Sequence, residues 1–307
     1  MISNFFSKSK PIHYIVVSVV LLLVFVMSRL DVLPENSGVI VYTEHIGLFL
    51  TAILTVFLFD FLVTRNGLTK KNSYNIILFV LFFAILPQTL LSSRLLFANF
   101  FILLALRRII SLRSQKEIKK KLFDASFWVA IATLFYFWSV LFFILIFVAL
   151  LVYAIADVKN YLIPIVGIAT VMVITVCCFI VIDKDIFTYV VGLFDYSMDF
   201  SALNSKRIIG GTTLLLSFGL WSLFYYIKNI KAQMKSDRPS FKLVILSAII
   251  GIVIIGIAPL KNGSEFIFLF APLSIIVTNY LEVISEKWFK ETLLWVLTVT
   301  PIVLLML

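Results

Sequence analysis

Charged side chains are scarce in this chain. Asp, Glu, Lys and Arg together make up 14% of its 307 residues, against about 25% in an ordinary soluble domain. Cysteine and histidine are almost missing, with Cys177, Cys178, His13 and His45 the whole supply. The two cysteines are neighbours. Adjacent helical positions point apart and do not bridge easily, so both read as small apolar fillers. Without a CxxC pair, a Cys/His cluster or an HExxH stretch, the chain carries no pattern for a protein-borne zinc or iron site. No low-complexity tract, Pro/Gly linker or long polar segment divides it, so residues 1–307 read as a single domain. Basic residues outnumber acidic ones, giving a net charge of +10. No basic stripe with interleaved aromatics lies outside the loops between apolar runs, so a nucleic-acid partner is not expected.

What the chain has instead is hydrocarbon. Hydrophobic residues make up 62% and the mean hydropathy is +1.11. Such a surplus cannot be hidden from water by a chain of this size, so lipid must be the solvent. Only helices and closed barrels satisfy their backbone hydrogen bonds there. Barrel strands alternate in runs of about ten residues, whereas runs such as Leu141–Val152 are continuous. The fold class is therefore all-α, a polytopic membrane protein with about eleven spans: 11–28, 41–64, 73–91, 95–112, 122–137, 138–156, 161–182, 208–227, 243–260, 266–282 and 292–307. The first run is longer than a signal-peptide core and no small-x-small site follows it, so it reads as an uncleaved span. The stretch Leu122–Ala156 would be about 52 Å long as one helix, against about 30 Å of bilayer hydrocarbon. It is expected to fold as a hairpin turning near Trp138–Ser139. Residues 73–110 split likewise around Ser92-Ser93-Arg94.

Charge supports this threading. With the N-terminus in the cytoplasm, twenty of the 26 Lys and Arg residues fall on the cytoplasmic side and six outside, as the positive-inside rule requires. Joining Leu122–Ala156 into one span would move the five basic residues of loop 228–242 outside.

Chemistry should then be sought in the outer loops. The first carries Asp31, Pro34 and Glu35 and ends at Tyr42-Thr43-Glu44-His45. Asp31 and Glu35 suit a solvated rim. Glu44 suits a helix N-terminus, with Thr43 as its cap. Equally, a carboxylate beside a histidine has the chemistry to take a proton from a hydroxyl or hold a divalent cation. No other cofactor is expected. The second long outer loop, 183–207, places Ile186, Val190, Leu193 and Phe194 at helical spacing, which suits an interfacial segment. It ends at Lys206-Arg207, followed by Gly210-Gly211. The two cations suit head-group anchors, or a grip on a lipid phosphate that the small residues let approach. Arg94, flanked by Gln88 and Asn99, would form a further small polar spot.

Leu86-Pro87-Gln88 through Ser92-Ser93-Arg94 to Asn99 and Leu106, then a basic loop, then Phe123-Asp124-Ala125-Ser126 through Tyr136, resembles the third-to-fifth-helix region of the C-type glycosyltransferases. These act on polyprenyl-phosphate-linked sugars. The chain as a whole is also similar to an uncharacterised bacterial family of polytopic membrane proteins. The first resemblance implies a C-type arrangement in a bacterial inner membrane, a polyprenyl-phosphate-sugar donor and transfer at the outer face. Glu44 or Asp31 would then be the base, and Arg207, Lys206, Arg94 and His45 would hold donor phosphate. The family's acidic Asp-Glu pair is absent, since Thr43 precedes Glu44. Beside this stand a non-catalytic subunit of an envelope-assembly or secretion complex, partnered by lipids and other membrane proteins, and a lipid-substrate transporter. No chain of acids crosses mid-membrane, and no internal repeat supports a pump.

Overall fold

A computed structural model describes residues 1–30, 38–155, 157–185, 187, 189, 192 and 195–306. Among them there is no strand. The α-helices are α1 (Ile2–Phe6), α2 (Pro11–Met27), α3 (Val39–Asn66), α4 (Tyr74–Ile85), α5 (Ser93–Ser111), α6 (Ile118–Phe135), α7 (Phe142–Val152), α8 (Val158–Ile182), α9 (Lys206–Ile230), α10 (Arg238–Ile257), α11 (Ile267–Val283) and α12 (Lys287–Leu305). Each of the eleven apolar runs coincides with one of α2–α12. Seven segments are long and apolar enough to cross a membrane by length and composition: Val39–Asn66, Ser93–Ser114, Val158–Ile182, Lys206–Ile230, Arg238–Ile257, Ser264–Val283 and Lys287–Leu305. The apolar segments Pro11–Met27, Tyr74–Ile85 and Phe137–Val152 are shorter.

Local chemistry sets the helix ends. Pro11 opens α2 at a position where its missing N–H costs nothing. Gly67, at φ 62°, closes α3 in the left-handed region. The Leu68 N–H then returns to Val63 O at 3.1 Å, a Schellman closure. The Ser205 hydroxyl caps α9 by accepting from Ile208 N at 3.2 Å. Pro87 ends α4 because it cannot donate to the helix ladder and restricts Leu86 before it. A 3-10 turn, Pro87–Leu90, carries the chain into α5. The second break falls where it was expected: after an extended Tyr136, a 3-10 turn spans Phe137–Leu141 and contains Trp138 and Ser139.

The reversal between α6 and α7 follows from contacts at their far ends. Near the start of α6, Lys121 Nζ donates to Ser111 O at 2.7 Å. At the end of α7, the Tyr153 hydroxyl donates to Ile110 O at 3.1 Å, and its carbonyl accepts from Gln115. Both ends therefore meet the last turn of α5, and Leu122–Ile155 is a hairpin, as its length requires.

Contacts of this kind sort the loops into two ends. At one end, Glu291 accepts from the N–H groups of Ile2 and Ser3, Tyr74 donates to Ser3 O, and Glu282 accepts from Lys70 N and Asn72. Arg113 pairs with Asp237 at 2.8 Å, and the Arg107 guanidinium lies 4.6 Å from the Phe61 ring. At the other end, Arg29 reaches Leu90, Trp138 reaches Asp195, and Arg207 reaches Leu305. Among the described residues the first end holds twenty basic and eight acidic side chains, and the second holds six basic and six acidic. The charge asymmetry read from the sequence is thus an asymmetry between the poles of one bundle.

Helices α4 and α11 form its centre. Phe82 and Phe83 of α4 meet Phe270 of α11 with ring centroids 5.8 and 5.3 Å apart. The apolar window of Ser264–Val283 is 83% buried, whereas that of Val158–Ile182 is 11% buried. Helix α8 stands at the edge, packed chiefly on α6. It leaves Leu162, Ile165, Val166, Met172, Val173 and Ile180 exposed. A face of that kind has no place in water.

Candidate functional site

A cavity of about 250 Å³ opens at the less basic end, between the end of α2, the α4–α5 turn, the start of α9 and the end of α12. Its polar lining is Arg207, Gln88 and Ser28. Its apolar walls include Met27, Leu91 and Pro301. Among the described residues the Arg207 guanidinium makes one long hydrogen bond, to Leu305 O at 3.3 Å. Gln88 Oε1 is buried without a partner among the described residues.

The walls depend on close packing. A Cβ added to Gly211 would lie 3.0 Å from Ile85 Cγ2 and 3.2 Å from Ile85 O, and one on Gly210 would lie 3.1 Å from Leu304. These glycines let α9 approach α4 and α12. Their part is in helix packing, and not the head-group approach expected from the sequence.

A second cation stands directly behind the cavity. Arg29 is 4% exposed. Its guanidinium donates to Leu90 O at 2.7 Å, lies 3.8 Å from the Phe25 ring centroid, and reaches the hydroxyl of Ser28 at 3.5 Å. Burial lowers its pKa to about 10, so it stays charged at neutral pH. The site can therefore draw an anion with two guanidiniums, and among the described residues no carboxylate lines it. The volume lies below the roughly 300–1,000 Å³ of small-molecule sites. It admits a phosphate-sized head with apolar groups beside it, but not a whole sugar-lipid.

Of the residues singled out in the sequence, Arg207 and Gln88 meet here. Lys206 and Arg94 are exposed and do not line the cavity. Glu44 is also exposed and outside the lining. The His45 ring bonds through Nδ1 to Val41 O at 2.7 Å, one turn back along α3. Thr43 does not cap: α3 begins at Val39, and the Thr43 hydroxyl donates to Ile40 O. Asn99 is buried, and its Nδ2 has no partner among the described residues. Asp31, with Pro34 and Glu35, lies outside the described residues. So do Ile186, Val190, Leu193 and Phe194 of the expected interfacial segment. Among the described residues no group of three or more His, Cys, Asp or Glu side chains is placed to hold a metal.

The sequence reading passed over Arg29, Lys261 and Glu265. Lys261 is 1% exposed. Its amine donates to Ser197 O and lies 4.3 Å from the Phe200 ring centroid. Glu265 is also buried, 3% exposed. Together with the bond from Trp138 Nε1 to Asp195 O at 3.0 Å, Lys261 fastens segment 195–200 onto this end. The signal was present: Lys261 and Glu265 are the only charges between two long apolar runs.

A family described as a family of unknown function (DUF6427) matches residues 1–306. The chain belongs to that family. No curated protein and no solved structure matches it.

Proposed function

We propose that the protein is a multi-pass protein of the cytoplasmic membrane that binds the phosphate-bearing head of a lipid in the Arg207 cavity. All of α2–α12 cross, the short ones within the thickness gathered by their neighbours. The basic end, with the N-terminus, faces the cytoplasm, which puts the cavity at the outer surface. The observation carrying this reading is an exposed guanidinium that lines an apolar-walled hollow and makes one long bond among the described residues, with buried Arg29 close by and no described carboxylate in the lining. Guanidinium is the side chain best matched to phosphate. Binding without turnover suits a non-catalytic, lipid-binding subunit of a membrane complex, and a polyprenyl phosphate is the ligand the sequence resemblance implies.

Transfer of a sugar from such a lipid is the second reading. It requires a base beside the phosphate. Asp31 or Glu44 would fill that role, and of the two Glu44 lies outside the cavity lining. Native mass spectrometry of the protein from nanodiscs containing a polyprenyl monophosphate separates the outcomes. A lipid adduct that falls at least about tenfold in Arg207→Gln supports the binding reading. An adduct unchanged in that variant, or none in the wild type, refutes it. Release of sugar from a polyprenyl-phosphate sugar, lost in Asp31→Asn with the adduct intact, would select the transferase.

A further inference from the structure

Another hollow lies at the opposite, basic end, away from the Arg207 cavity. It is a groove of about 720 Å³ between the α5–α6 and α7–α8 turns, with the starts of α6 and α8 on its two sides. Helix α6 begins without a side-chain cap: Glu117 stands before it at φ 51° and makes no bond to the first turn. The first N–H groups of a helix have no partner within it and carry its positive pole. Ile118, Lys119 and Lys120, which supply those groups, all line the groove, and both lysines are exposed.

A second observation points to an occupant. Asn160, in the first turn of α8, also lines the groove. It is 5% exposed, and its Oδ1 has no hydrogen-bond partner among the described residues. A buried amide oxygen left unpaired is costly, and native proteins rarely keep one without a donor nearby. Glu117 and Asp157 lie on the same lining. The groove therefore offers a cationic side, made by Lys119, Lys120 and the α6 N-terminus, and an acceptor side, made by Asn160 Oδ1 and the two carboxylates. A bare anion would satisfy the first and be repelled by the second.

We infer that this groove binds a phosphate ester that also carries hydroxyl or ammonium donors. The phosphate sits at the start of α6 between Lys119 and Lys120, and the donors face Asn160 Oδ1, Glu117 and Asp157. Such a group can come from a lipid head at the cytoplasmic surface or from a soluble phosphate ester. The inference does not depend on the Arg207 site, whose residues lie at the other pole.

The test has two arms. Glycerol 1-phosphate and phosphoethanolamine are titrated onto the protein in phosphatidylcholine nanodiscs. Separately, phosphatidylglycerol and phosphatidylethanolamine are added to detergent-purified protein and counted as adducts by native mass spectrometry. The variants are Lys119→Gln/Lys120→Gln, Asn160→Ala and, as a charge control outside the lining, Lys116→Gln. Thermal unfolding checks that each variant folds. Binding in the soluble arm, weakened at least about tenfold by the double variant and by Asn160→Ala but not by Lys116→Gln, supports the site with a soluble ligand. The same pattern in the lipid arm alone supports it with a lipid ligand. No binding in either arm overturns the inference. So does equal loss in Lys116→Gln, retention in the double variant, or inorganic phosphate binding as tightly as its esters.

Discussion

Gly167→Ala tests the packing from which the α6–α8 groove is built. A Cβ at this position would lie 2.0 Å from Ser126 Oγ, 2.9 Å from Ser126 Cβ and 3.2 Å from Phe123 O. The Ser126 hydroxyl can rotate away, but its Cβ cannot. The helices must then part by about half an ångström to restore an ordinary contact. Overpacking of this size costs about 1–3 kcal/mol, partly offset by the roughly 0.8–1.0 kcal/mol that Ala gains over Gly in a helix. Gly47→Ala in α3 isolates that gain, because nothing lies within 4 Å of its added Cβ. Reversible unfolding in mixed detergent should therefore place Gly167→Ala about 1–3 kcal/mol below Gly47→Ala. Since the two nearest atoms both belong to Ser126, adding Ser126→Gly should recover much of the loss, with a coupling of at least about 1 kcal/mol in a double-mutant cycle. Equal stability of Gly167→Ala and Gly47→Ala would refute the claim that α8 is seated through this contact.

Arg29→Ala should cost about 1–3 kcal/mol in thermal unfolding, because Leu90 O loses a charged donor. A stability equal to wild type would mean that the buried cation is no strut for the cavity. Asp199 accepts from Ser201 N and Oγ, both at 2.9 Å, and these bonds, the backbone one first, hold its pKa below the ordinary 3.8. Their contribution to the turn is present above that ordinary value and lost as pH falls through the depressed one. The Ser201 amide resonance should therefore stay constant from neutral pH to about 4 and move only in stronger acid, and Asp199→Asn should abolish the movement. On a Cys177→Ala/Cys178→Ala background, membrane-impermeant maleimide added to intact cells should label Asp195→Cys and spare Lys235→Cys. Labelling of both, or the reverse, would overturn the threading.

Much of the architecture was legible along the chain, because in lipid one rule dominates local structure. A backbone with no water must bond to itself, so each long apolar run becomes a helix, and length against bilayer thickness forces the 122–156 hairpin. Pro87 and Gly67 mark their breaks through fixed or permissive dihedral angles. The turn at Phe137–Leu141 has no such residue, and length alone pointed to it. Site chemistry was far less legible. Neighbouring residues on a helix are turned about 100° apart, so Lys206 and Arg207, adjacent in sequence, part company, and only Arg207 enters the cavity. Arg29 looked like a loop charge until Leu90 and Phe25 closed around it.

The sequence by itself determined that the chain is helical, where its helices run, and which loops share a pole, because hydropathy and charge act residue by residue and need no knowledge of neighbours. Tertiary packing alone decided that α4 and α11 are central while α8 stands at the edge. It also decided which cations face a hollow, and that the glycines at 167, 210 and 211 are contact points between helices. Those outcomes depend on which faces meet across the bundle, at distances of a few ångströms between residues tens or hundreds of positions apart.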